Sequence, residues 1–242
     1  MNPAKICLMS TLYLIPNHIA FDDRQMHLDV PPAIQSLRCF FVEEPKSARA
    51  LLKQIDAHFP LQECAYHPLN EHTSVEQIRD YAKMLTDQDT GLISESGCPC
   101  VADPGAELVR LAHDQGVKVV PLVGPSSILL ALMASGLNGQ NFAFNGYLPI
   151  DSHERLVKIK ALQDRSLKEK QTQIFMETPY RNNALWETLL TSLHAQTSLC
   201  LALDIGGASQ RVETKTVQEW RKMNLSLPKK PALFIINASS VM

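Results

Sequence analysis

The run Gly91-Leu92-Ile93-Ser94-Glu95-Ser96-Gly97-Cys98-Pro99-Cys100-Val101-Ala102-Asp103-Pro104-Gly105 decides how this chain folds. A helical segment follows, then Val117 to Leu122, then a second break at Gly124-Pro125-Ser126-Ser127. A short apolar strand enters a loop rich in glycine and proline, the loop feeds a helix, and the arrangement repeats. Two neighbouring strand-to-helix turns are where parallel α/β proteins bind ligands, at the carboxyl ends of their strands. Helix starts there offer unpaired N–H groups and the positive end of the helix dipole. Asp103 suits the cap of the following helix, and Pro104 its first position, where a missing N–H costs nothing. The same spacing also fits two well-capped turns with no ligand, so local pattern alone leaves both readings open.

The 242 residues suffice for one large domain or two of about 120 residues each. A hydrophobic share of 45% and a charged share of 20% are those of a globular protein. The formal net charge of −2 argues against a strongly electrostatic nucleic-acid binder, while leaving room for a local basic face. Six cysteines are scattered through apolar segments, and only Cys98 and Cys100 are close in sequence. With no second Cys or His pair at zinc-site spacing, the pattern implies reduced thiols, no metal and a cytoplasmic protein. Ile6 to Ile15 is apolar, but Ser10 and Thr11 interrupt it and Pro16 ends it, so it reads as a strand rather than a signal peptide. No run reaches the ~18 apolar residues of a membrane span, so no membrane partner is expected.

Outward from the central run, Arg38 to Val42 and Leu61 to Tyr66 read as strands, with a loop over Asn17 to Val30. That loop is where a Gly-x-Gly-x-x-Gly dinucleotide fingerprint would sit, yet no glycine occurs before Gly91 and no Walker-type loop occurs anywhere. Pro45 to His58 places Ala48, Leu51, Leu52 and Ile55 on one helical face. Thr73-Ser74-Val75-Glu76 has the form of a capping box ahead of another amphipathic helix. Ser126 to Ser135 is an unusually apolar helix ended by Gly136. Strands are then predicted at Phe142 to Leu148, Thr172 to Met176, Ser198 to Ile205 and Ala232 to Asn237. Helices are predicted at Ser152 to Lys170, Tyr180 to His194 and Thr216 to Lys222. Strands separated by helices throughout imply α/β layers. The chain divides into an N-terminal α/β domain, residues 1–121, and a C-terminal one, residues 122–242, with a cleft between them.

The order of motifs resembles the tetrapyrrole (corrin/porphyrin) methylase superfamily, most closely its branch of small-subunit ribosomal RNA 2′-O-ribose methyltransferases. That branch's Asp-Ala-Gly-Thr-Pro and Ser-Asp-Pro-Gly loop is similar to Glu95 to Pro99 and Ala102 to Gly105. Its Pro-Gly-Pro-Ser-Ala turn resembles Val123 to Ser127, and its Phe-x-Phe-x-Gly-Phe-Leu-Pro run resembles Phe142 to Pro149. Its Tyr-Glu-Ser-Pro-His-Arg segment resembles Met176 to Arg181, and its Glu-Asp-Thr-Arg resembles Glu43 to Lys46. Two departures stand out: Pro16-Asn17-His18-Ile19 replaces a Thr-Pro-Ile-Gly turn, and Leu203 to Gly207 replaces a Glu-Leu-Thr-Lys segment.

The resemblance implies two α/β domains, S-adenosylmethionine bound in the cleft between them, a homodimer, and 16S rRNA or the small ribosomal subunit as partner. It places the cofactor against Ser94, Glu95, Ser96, Gly97, Cys98 and Asp103, and against Gly124, Pro125, Ser126 and Ser127, with Tyr147, Leu148 and Pro149 as further contacts. Methyl transfer from a sulfonium is an in-line displacement, so the protein's main task is placement, which contributes up to ~10 kcal/mol. A hydroxyl acceptor must also lose its proton, and Glu177 and Glu44 are the candidate catalytic carboxylates, with Glu95 and Asp103 behind them. Lys46, Arg49 and Arg181 are candidate phosphate holders, and the run from Arg155 to Lys170 is a candidate RNA face. Two other readings are carried forward: C-methylation of a tetrapyrrole or corrinoid precursor, and a cofactor-binding homologue that has lost catalysis.

Overall fold

The computed structural model describes residues 10–20 and 32–239. They form two units, residues 10–19 with 32–125 and residues 126–239. The first strand reads from Ile6, but the part before Ser10 and most of the Asn17 to Val30 loop lie outside the described residues.

The first unit is a five-stranded sheet of β1 (Thr11–Ile15), β2 (Cys39–Val42), β3 (Ala65–Pro68), β4 (Thr90–Ile93) and β5 (Lys118–Pro121), in the order β3-β2-β4-β1-β5. Every pairing is parallel. Parallel neighbours need crossovers, and α1 (Ala33–Ser36), α2 (Pro45–Ile55), α3 (Val75–Met84) and α4 (Ala106–Asp114) lie on them. β2 and β4 are buried along their whole length, as their unbroken apolar runs require in a sheet covered on both faces. Phe40 and Phe41 point to opposite faces and enter separate cores, one with Leu51, Leu52 and Ile93, the other with Leu12, Leu92 and Leu108.

Where the spacing predicts a strand over Leu61 to Tyr66, the structure has a 3₁₀ turn, Leu61–Glu63, and pairing starts only at Ala65 opposite Cys39. Pro60 sets the turn, accepting from the N–H of Glu63. The capping box also sits one residue later than predicted. Ser74 caps α3 with Gln77, because the Thr73 hydroxyl is engaged by Asn70 N–H and Pro68 C=O.

The second unit contains α5 (Ser127–Ser135), β6 (Phe142–Tyr147), α6 (Ser152–Glu169), β7 (Thr172–Glu177), α7 (Asn182–Ser192), β8 (Ser198–Leu203), β9 (Arg211–Thr216), α8 (Val217–Arg221) and β10 (Ala232–Asn237). The sheet order is β6-β7-β10-β8-β9. Only β6 and β7 run parallel; β7-β10, β10-β8 and β8-β9 are antiparallel. Uninterrupted alternation of strand and helix therefore fails here, because β8 and β9 follow one another directly. β9 reads Arg-Val-Glu-Thr-Lys-Thr, an edge strand whose charges suit an unpaired border and hide it from a hydrophobic pattern. Beneath the sheet, Trp186 and Trp220 meet edge to face at 5.0 Å beside Phe234 and Phe175. Among the described residues no helix is long and apolar enough to cross a membrane.

Candidate functional site

At the carboxyl end of β4 the chain does not drift into solvent; it is tied back. Asn17, just beyond β1, forms a two-way backbone bridge with Gly97, at 2.9 and 3.1 Å. Its side-chain amide donates to the carbonyls of Ser94 (3.2 Å) and Glu95 (3.0 Å). Ser94 Oγ donates to Gly97 C=O at 2.7 Å, and the Glu95 N–H donates to Glu43 Oε2 at 3.1 Å. Cys98 Sγ donates to Pro125 C=O at 3.3 Å, joining this loop to the Gly124-Pro125 break. The Asn17 turn, which lacks the glycine of the resembling branch, thus serves as the clamp of the loop. No local motif marks that role, since its partners lie some eighty residues away.

The glycines have internal reasons. Gly97 sits at φ +73, and a Cβ on Gly124 would lie 2.1 Å from the Pro16 ring. Among the described residues, the N–H groups of Ser96 and Cys98 meet no hydrogen-bond acceptor.

Asp103 does not cap α4. The cap is Gly105 at φ 121, with no side-chain bond, and Ala102 adds another left-handed step at φ 62. These two backbone turns keep Asp103 in the loop, where its Oδ2 is buried without a partner among the described residues. Burial first, then the nearby carboxylates of Glu43 and Glu95, push Asp103 up to about 7. Burial and Asp103 also raise the thiols of Cys98 and Cys100, the latter to about 11. Both sulfurs therefore stay protonated and weakly nucleophilic at neutral pH. No group of three metal-ligating side chains occurs among the described residues.

Ser126, Ser127, Tyr147, Leu148, Pro149 and Glu177 belong to the second unit. Ser126 caps α5 and Ser127 opens it. Tyr147 is exposed at the end of β6, Pro149 is half-buried, and the Leu148 side chain is committed to the core. Glu177 ends β7 fully buried, its Oε1 accepting from Arg181 Nε (2.8 Å) and Nη2 (2.6 Å) and from Thr178 N–H (2.7 Å). Its Oε2 is buried with no partner among the described residues. Glu44, in the first unit, accepts the N–H of Lys46 as the cap of α2.

The sequence profile of the family described as Tetrapyrrole (Corrin/Porphyrin) Methylases matches residues 32–220. The chain belongs to the tetrapyrrole methylase family. A Vibrio cholerae protein named Ribosomal RNA small subunit methyltransferase I is 32% identical over 212 residues, 86% of this chain and 69% of its own length. A Bacillus subtilis protein of the same name is 33% identical over 181 residues, 75% of this chain and 58% of its own. A crystal structure of diphthine synthase superposes with a TM-score of 0.66 at 14% identity, covering 96% of this chain and 91% of that one, and so shares the fold.

Tetrapyrrole methylases draw their methyl group from S-adenosylmethionine, the cofactor that the motifs imply. The residues present fit its charges. An unpartnered buried carboxylate beside two more carboxylates favours a cation, and the cofactor carries a sulfonium and an α-ammonium. The open N–H groups of Ser96 and Cys98 suit its carboxylate.

Proposed function

We propose that this chain is an S-adenosylmethionine-dependent methyltransferase acting on a ribose 2′-hydroxyl of small-subunit ribosomal RNA. The observation that carries this reading is the 32% identity over 212 residues with the Vibrio cholerae relative of that name. The cofactor is held by the Ser94 to Cys98 loop, Asp103 and Gly124-Pro125. Ser126, Ser127, Tyr147, Leu148 and Pro149 are the further contacts that the family resemblance implies. When bound, S-adenosylmethionine supplies an electrophilic methyl group.

This chain's residues contribute orientation and electrostatics. Asp103, Glu95 and Glu43 set a negative potential for the cationic part of the ligand, and the clamp by Asn17 fixes the loop before binding, which lowers the ordering cost. Glu177 and Glu44 are the proposed acceptors of the ribose proton; Arg181 holds Glu177 through Oε1, and the Lys46 N–H holds Glu44 through Oε1. A cytoplasmic homodimer is expected; light scattering should give twice the 27.0 kDa chain mass, and a single-chain mass would overturn it.

The deciding assay is tritiated-methyl transfer to small ribosomal subunits from cells lacking this gene, with label expected on a ribose. Label on a porphyrinoid instead would replace the acceptor, and cofactor binding without transfer to either would leave a homologue that has lost catalysis.

A further inference from the structure

The outer face of α2 carries charge that neither the fold nor the cofactor chemistry uses. Lys46, Arg49 and Lys53 lie on it, and no acidic side chain occurs between Pro45 and Ile55. At 3.6 residues per turn the three cations fall within a sector about 60° wide. That sector faces away from the buried Ala48, Leu51 and Leu52, and all three side chains are exposed. Among the described residues none of the three has an ion-pair partner, whereas Arg38, Lys83 and Arg110 of the same unit each have one. The flanking acids are occupied: Glu44 accepts the Lys46 N–H, and Asp56 the His58 N–H. Arg49 lies 4.6 Å from the centre of the Tyr66 ring, a contact that restrains the guanidinium without neutralising it.

Elsewhere on its surface, α2 is also tied to the loop of the candidate site. Glu43, just ahead of α2, accepts the Glu95 N–H, and His18, next to Asn17, contacts Gln54 of α2 at 2.8 Å.

We propose that the outer face of α2 docks the phosphodiester backbone of the RNA acceptor, a proposal that rests on the ribosomal RNA reading above. On a chain of net charge −2, a local cluster of unpaired cations is what backbone binding requires. Lys46 to Lys53 spans about 10 Å of helix, enough to meet more than one phosphate. Arg49 adds a fork that grips a phosphate through two N–H groups. α6 is the weaker rival, because its cations are interleaved with Asp164 and Glu169, and Arg165 lies 3.8 Å from Glu169.

The test is filter binding of an unmodified small-subunit rRNA transcript to the full chain, between about 50 and 200 mM KCl. Two variants are compared with wild type: Lys46→Gln/Lys53→Gln on α2, and Lys158→Gln/Lys160→Gln on α6, which removes the same charge elsewhere. The α2 variant is expected to bind about tenfold more weakly at mid-range salt. Its slope of log affinity against log salt should shrink by about 1.4, two contacts at about 0.7 each. Its thermal shift with S-adenosylmethionine should stay at the wild-type value, showing an intact fold and cofactor site. The α6 variant should keep the wild-type slope. A wild type that labels rRNA while the α2 variant keeps its slope, or while both variants lose slope equally, overturns the docking face alone. A wild type that neither binds nor labels rRNA overturns the acceptor reading and the docking face with it.

Discussion

At the scale of single residues, Asp103 is held in a state its chemistry resists. Its carboxyl loses a proton near the ordinary 3.8 in the unfolded chain and near 7 in the folded one. Between those values the folded state binds more proton, so its stability falls as pH rises; the favourable contribution is complete below about 4 and gone above about 7. Asp103→Asn keeps the shape and removes the charge. The variant should match wild type at pH 5 more closely than at pH 8, where it should be the more stable by about 1 to 3 kcal/mol in urea unfolding. Equal differences at both pH values would discard the burial of this carboxylate. Glu177 is the opposite case, a buried carboxylate with a partner. Arg181→Met should cost about 3 kcal/mol by stranding its charge, and adding Glu177→Gln should recover most of the loss. A double-mutant cycle with coupling near zero would show that the ion pair does not support the end of β7.

At the scale of elements, the start of α4 rests on Gly105 rather than on the aspartate before it. A Cβ there would sit 2.8 Å from Leu92 Cδ2 and 3.0 Å from Cys100 Sγ, at a φ of +121 that side chains avoid. Gly105→Ala should therefore destabilise by about 2 kcal/mol, read by thermal or urea unfolding, and a neutral result would contradict the strained cap. A glycine two residues past a proline-flanked aspartate reads locally as the first turn of a helix. Only the left-handed steps at Ala102 and Gly105 reveal that the helix begins later. Long apolar runs are legible: β10 covers the residues its sequence predicts, Ala232 to Asn237, because every position is buried. β9 was not, since an edge strand takes its place through the β8 ladder and the ion pairs of Glu213 with Arg211 and Lys215. The candidate loop announced itself through its glycines and prolines, but its clamp at Asn17 depends on a long-range bridge that no window of neighbouring residues contains.

At the scale of the molecule, two sheets of different character share one chain, an all-parallel sheet before the Gly124-Pro125 break and a mixed one after it. Each unit has its own hydrophobic core. The residues proposed to hold the cofactor come from both stretches of sequence, and spectroscopy can separate their contributions. Both tryptophans, Trp186 and Trp220, lie in the core of the second unit, so their fluorescence reports that unit while far-UV circular dichroism reports the whole chain. S-adenosylmethionine at a hundred times its dissociation constant stabilises whatever binds it by about 2.7 kcal/mol. For a chain of this size that is about 5 to 10 °C. If residues on both sides hold the ligand, unfolding seen by tryptophan and by circular dichroism should rise together by that amount. If the Ser94 to Asp103 loop holds it alone, the tryptophan transition should stay in place while part of the dichroism signal moves upward. The second outcome would confine the site to the first unit and remove Ser126, Ser127 and Tyr147 from it.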